Sequence, residues 1–172
     1  MWSPYEGLNN LISLLNHNSS DVRQGALLGV GLTCNGIYNP QEDLPLNVMQ
    51  STLSTPFTES SSANVLHTYA AALLGLALAY ANTAREDLIP FLVRGITEGS
   101  IELAGVAAVA SGLIFCGVRS EALIKPLVER MSHINESTET QFGYLMMGFG
   151  FSMMFSVSVL ITDMILGSAE AS

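Results

Sequence analysis

The chain has 172 residues, 49% of them hydrophobic and 12% charged, which suits one domain or one run of repeats and excludes a disordered chain. Six Lys/Arg against fifteen Asp/Glu give a net charge of −9 with no basic cluster, which argues against a nucleic-acid surface. Cys34 and Cys116 have no second Cys or His at ligand spacing, so they read as reduced core thiols of a cytosolic or nuclear protein.

Met1–Asn10 holds no basic residue and no long apolar run, so no signal peptide is expected. Gly7–His17 places Leu8, Leu11, Ile12 and Leu15 at i, i+3, i+4 and i+7, the pattern of an amphipathic helix. A polar break at Asn18–Asp21 precedes an apolar helix through Gly25–Gly36, GALLGVGLTCNG. Asn39-Pro40-Gln41-Glu42 reads as the start of a helix running through Leu44–Leu53. Residues 54–64, STPFTESSSAN, form a predicted flexible loop before the second apolar block, Ala71–Asn82, AALLGLALAYAN.

Thr83-Ala84-Arg85-Glu86 has the form of a capping box opening a helix over Glu86–Ile96. Gly99-Ser100 ends that helix and caps the third block, Val106–Gly117, VAAVASGLIFCG. Ser120 opens a helix over Glu121–His133, with an apolar face of Leu123, Ile124, Leu127, Val128 and Met131. After a break at Asn135–Thr140 comes the fourth block, Tyr144–Phe155, YLMMGFGFSMMF, and then one more amphipathic helix over Val157–Leu166. Pro45, Pro90 and Pro126 fall early in three amphipathic helices, where each either occupies the first turn or kinks the helix.

The four apolar blocks begin 46, 35 and 38 residues apart and align without gaps. Their fifth place holds Gly29, Gly75, Ala110 and Gly148, and their seventh holds Gly31, Ala77, Gly112 and Gly150. Their eighth place is bulky: Leu32, Leu78, Leu113 and Phe151. Small residues recurring at one register imply close backbone approach between helices. The predicted fold is all-α, two layers of tandem helix-turn-helix repeats over 7–37, 39–82, 83–117 and 119–155, with a partial unit at 157–168. The apolar helices would form the inner layer of this α-solenoid or toroid segment, and the amphipathic ones the outer.

Catalytic and cofactor chemistry is not expected. The GxGxxxxG spacing over Gly29–Gly36 is not the dinucleotide pattern and follows no strand. His17, His67 and His133 lack Asp or Cys companions, and GxSxG, HExxH and CxxC do not occur. Phe142–Thr162 is an uncharged run of 21 residues, long enough for a membrane span. Its serines and glycines, and flanks without Lys/Arg excess, favour a buried helix running into a loop and a further helix. A small membrane protein with one to three spans is the alternative from a different class.

GALLGVGLTCNG, and AALLGLALAYANTAREDLIPFLVRGI together with IELAGVAAVASGLIFCG, resemble proteasome/cyclosome repeats over about Leu8 to Leu166. Such repeats occur in the two large non-ATPase scaffold subunits of the 26S proteasome regulatory particle and in the largest subunit of the anaphase-promoting complex. The resemblance is strongest to one of the proteasome scaffolds, with its sister and the anaphase-promoting subunit as alternatives. It implies a closed toroid of two helix rings with about twice as many repeats, of which this chain would be an excised part. It also implies a non-catalytic scaffold in the cytoplasm and nucleus. Such a scaffold docks on the proteasome ATPase ring and offers its outer helices to ubiquitin, to ubiquitin-like domains of shuttle factors and to a deubiquitinase.

The family's ubiquitin site uses acidic residues on outer helices against a basic ubiquitin face. By resemblance, Glu98 falls on one such acid and Glu129, within LVER, on another. A third falls on Lys125, and Glu121 is the nearest acid to a fourth. From spacing alone, Glu121, Lys125 and Glu129 form one solvent-facing stripe whose ordinary role is a pair of i,i+4 contacts worth a few tenths of a kcal/mol each. An array with open ends also exposes apolar end faces, so self-association is expected.

Overall fold

The computed structural model describes residues 4–35, 43–58, 61–132 and 141–169, with side-chain surroundings for those between 7 and 155. All its regular elements are helical: α1 Pro4–Leu14, α2 Ser20–Thr33, α3 Leu44–Leu53, α4 Ala63–Ala79, α5 Ile89–Glu98, α6 Ile101–Ile114, α7 Glu121–Ser132 and α8 Gln141–Ala169. A 3-10 turn, Glu86–Leu88, leads into α5.

The apolar helices form one row in which α2 packs on α4, α4 on α6 and α6 on α8. Each amphipathic helix covers one of them: α1 lies on α2, α3 on α4, α5 on α6 and α7 on α8. The division follows from composition. Apart from Glu102 in its first turn, helix α6 is apolar or small on every side, so the rest of it must be enclosed. Helices α5 and α7 bury one stripe, Leu92 and Ile96 in α5 and Leu123 and Leu127 in α7, and turn the other to water. Full burial of each such side chain contributes roughly 1.5–3 kcal/mol.

Bare backbone sets the spacing within the inner row. A Cβ added to Gly31 would overlap the carbonyl oxygen of Gly75, and one added to Gly75 would stand 2.6 Å from Leu27 O. The same arrangement recurs between α6 and α8. A Cβ on Gly112 would stand 2.6 Å from Gly150 O, and one on Gly150 would overlap Ala108 O. Between these pairs, Ala77 and Ala110 are wholly buried. A Cβ on Gly29 would first meet the side chain of Leu11, at 3.0 Å, and one on Gly148 would meet nothing within 4 Å.

The gap-free alignment therefore holds for three blocks and slips in the fourth. Gly150, aligned at the seventh place, does the work of Gly75 at the fifth, so the fourth block begins at residue 146, two residues later. A second ladder gives the same shift independently. The turn after each inner helix donates to a carbonyl of the next one: Asn35 Nδ2 to Leu78 O at 2.6 Å, Asn82 N to Leu113 O at 2.8 Å and Gly117 N to Met153 O at 3.3 Å. Leu78 and Leu113 hold the eighth place, and Met153 joins them once the block starts at 146. The first two donors satisfy carbonyls that a helix end leaves open, whereas Met153 O lies within α8.

Two local expectations change. Thr83 is not a cap; its Oγ1 donates back to Tyr80 O at 2.7 Å. The chain instead takes positive φ at Asn82 (59°) and Ala84 (51°) so that Asn82 N and Ala84 N reach Leu113 O and Ile114 O. The expected helix over Val157–Leu166 is not separate, because α8 runs unbroken for 29 residues. Pro45 and Pro90 occupy the first turn of α3 and α5, whereas Pro126 lies inside α7. Ser100 does cap α6, its Oγ accepting from Leu103 N at 3.3 Å. The expected start at Asn39–Glu42 falls outside the described residues, as do 59–60 of the loop. Among the described residues, no helix is long and apolar enough to cross a membrane.

Candidate functional site

The three acids singled out in the sequence all lie on the outer layer. Glu98 is in the last turn of α5, and Glu121 and Glu129 are on α7, which packs beside α5. All three are exposed, as is Lys125. Arg130 Nη2 donates to Gly99 O at 2.9 Å, so the C-terminal ends of α5 and α7 meet. Glu98 and Glu129 therefore belong to one end of this surface, while Glu121 marks the other end of α7. Between Lys125 and Glu129, Val128 is 47% exposed, which adds an apolar patch to the acidic rim.

Glu98 is held in place. Arg94 Nε donates to Glu98 Oε2 at 3.0 Å, and Arg94 Nη1 donates to Leu53 O at 3.2 Å. The guanidinium lies 4.6 Å from the ring centre of Phe57 and 5.9 Å from that of Tyr69. Phe57 and Tyr69 pack edge to face at 4.5 Å, and Tyr69 Oη donates to Phe91 O at 3.0 Å. Burial, with the Glu98 charge adding to it and Arg94 opposing it, pushes the Tyr69 phenol up to about 12. The cation is thus anchored to α3, to the segment after it and to α4. Lys125 has no such fixing: among the described residues no ion pair joins it to Glu121 or Glu129.

A second charged cluster escaped the sequence reading. Arg85 Nη2 lies 2.6 Å from Asp43 Oδ2, and Arg85 Nε donates to Asp87 Oδ1 at 2.9 Å. Tyr80 Oη donates to Asp43, and its ring lies 4.6 Å beneath the guanidinium. Burial works to raise the Asp43 carboxyl, but hydrogen bonds from Arg85 and Tyr80 outweigh it and hold the group below its ordinary value. The string ARED placed Arg85 beside Asp87, but nothing local pointed to Asp43. This cluster ties the start of α3 to the turn before α5, and its polar atoms are spent on one another.

A groove of about 280 Å³ is lined by Leu66, His67, Ala70, Ser100, Glu102 and Val106. Ser100 is committed there as a helix cap. Among the described residues no group of three or more His, Cys, Asp or Glu could hold a metal. Cys34 and Cys116 are free thiols, and burial raises that of Cys34.

The chain is 29% identical over 143 residues to the 26S proteasome non-ATPase regulatory subunit 2 of Dictyostelium discoideum, which covers 80% of this chain. It is 27% identical over 138 residues to the 26S proteasome regulatory subunit rpn-1 of Neurospora crassa, which covers 77% of it. The matched region spans 15% and 14% of those relatives' own lengths. No protein-family model matches the chain.

Proposed function

We propose that this chain is a segment of a non-catalytic helical-repeat scaffold of the proteasome regulatory particle, built from proteasome/cyclosome-type repeats. The observation that carries the reading is its similarity, over most of its length, to regulatory subunits of the 26S proteasome. The two-layer helix array supports it. An inner row packed through bare backbone is a rigid support, and the outer helices it carries are free to meet partners. On this reading the chain acts in the cytoplasm and nucleus, in contact with the proteasome ATPase subunits.

Ubiquitin, ubiquitin-like domains of shuttle factors and a deubiquitinase are the partners of the outer layer. Their docking place is the α5–α7 surface, where Glu98, Glu121 and Glu129 offer negative charge and Val128 an apolar contact. Lys125 sits within this rim and repels a basic partner, so binding here is weak and salt-sensitive.

The test is a two-dimensional NMR titration of labelled ubiquitin, and of a shuttle-factor ubiquitin-like domain, with this chain. Shifts confined to the basic–apolar face of ubiquitin are expected, reduced by Glu129→Lys and increased by Lys125→Glu. Absence of shifts at millimolar concentration for both domains overturns the docking surface.

A further inference from the structure

We infer that Thr55 is a phosphorylation site and that Arg23 receives the phosphate. Thr55 follows the end of α3 and precedes Pro56. A Ser or Thr followed by Pro is the least that a proline-directed kinase reads. The chain has this pair twice, at Ser3-Pro4 and at Thr55-Pro56, and the first lies outside the described residues. Pro56 biases Thr55 toward extended backbone, the form in which kinases take a substrate. Ser54, Thr55, Pro56 and Thr58 are all exposed. Thr55 Oγ1 donates to Ser51 O at 3.1 Å, an exposed bond that water readily replaces when the hydroxyl is taken up.

The cavity beside Thr55 suits an anion. It measures about 200 Å³ and is lined by Arg23 of α2, by Thr52 and Thr55 at the end of α3, and by Asn64 and Thr68 of α4, with no carboxylate on its wall. Arg23 Nη1 donates to His17 O at 2.7 Å and to Asn18 O at 3.0 Å. These bonds fix the guanidinium to the turn before α2 and leave Nε and Nη2 for a further acceptor. Arg85 and Arg94 are each paired with carboxylates, but among the described residues no carboxylate pairs with Arg23. In a chain of net charge −9, this half-buried cation is an exception that a phosphate on Thr55 answers through charge-assisted hydrogen bonds. In the transfer, the γ-phosphorus of ATP forms a bond to Thr55 Oγ1 and loses its bridging oxygen, ADP leaves, and the hydroxyl proton passes to the catalytic carboxylate of the kinase. The product ties the end of α3 to α2, two helices that otherwise meet sparingly.

The test treats the full, folded chain with ATP, magnesium and a proline-directed kinase of the mitogen-activated class, and locates the phosphate by mass spectrometry of its peptides. A phosphate on Thr55 is expected, and it should be missing from Thr55→Val. Phosphorus NMR then follows the second ionisation of that phosphate, which lies near pH 6 when nothing perturbs it. In the folded chain it should fall about one pH unit lower, because the neighbouring guanidinium favours the dianion. It should return to the ordinary value in Arg23→Gln and in concentrated urea. The urea arm reads the loss of the same contact without any substitution, so the test stands even where Arg23→Gln does not fold. Absence of phosphate at Thr55, including its appearance at Ser3 alone, overturns the inference. So does a phosphate on Thr55 that titrates alike in the folded and the unfolded chain.

Discussion

Arg85 and Asp43 meet at 2.6 Å across the junction of α3 with the turn that leads to α5. Both side chains are largely enclosed, at 17% and 27% exposure, and the pair shares Tyr80 and Asp87. Arg85→Met leaves the Asp43 carboxylate half-buried without its cation. A loss of about 1–3 kcal/mol is expected in urea unfolding. Arg85→Lys recovers only part of it, since an ammonium cannot serve both carboxylates with a planar fork.

The same pair sets an acid limit. Asp43 titrates below its unfolded value in the folded chain. Its contribution is therefore fully present above about pH 4 and is lost as the pH falls through the folded value. Stability measured from pH 5 down to pH 2 should fall more steeply for wild type than for Asp43→Asn. Equal slopes would show that Asp43 carries no proton linkage.

Arg94 is expected to matter more than its partner Glu98. It lies against two rings and donates to Leu53 O, whereas Glu98 offers one exposed pair. Arg94→Ala should cost about 1–2 kcal/mol, and Glu98→Gln about 0.3 kcal/mol. A charge change at Glu98 can then be read as a binding effect. The neighbouring Tyr69 phenol ionises at about 12, so the stability it gives is present below pH 10 and lost toward that value. Tyr69→Phe should remove one step near pH 12 from the ultraviolet titration.

The alternation of amphipathic and apolar helices was legible because 3.6-residue periodicity and its absence are both written in composition. The register of the last block was not, since YLMMGFGFSMMF carries glycines two apart and either could take the close approach. Only the positions of Ala108 O and Gly117 N decide for Gly150. Thr83 misled for a related reason. Its capping pattern is local, but the turn around it is bent by two bonds to the end of α6, to carbonyls about 30 residues further on in sequence. The Arg85–Asp43 pair spans 42 residues and has no local signature at all. Glu121 and Glu129 were placed on one solvent-facing stripe by their spacing with Lys125 and Glu98 was singled out by resemblance alone, while the fixing of Glu98 by Arg94 depended on Phe57 and Tyr69, which lie far from it in sequence.

The most direct test of the account is thermal unfolding of Gly148→Ala and Gly150→Ala side by side, at a protein concentration low enough to keep both monomeric. Gly148 faces open space, so an added methyl should only favour the helix, by about 0.5–1 kcal/mol, raising Tm by about 2–3 °C. A methyl on Gly150 overlaps the backbone of α6 at Ala108, which cannot move aside as a side chain could. A loss of about 3 kcal/mol and roughly 10 °C is expected. If the two substitutions have the same effect, or if Gly148→Ala is the more damaging, the register of the inner row is wrong.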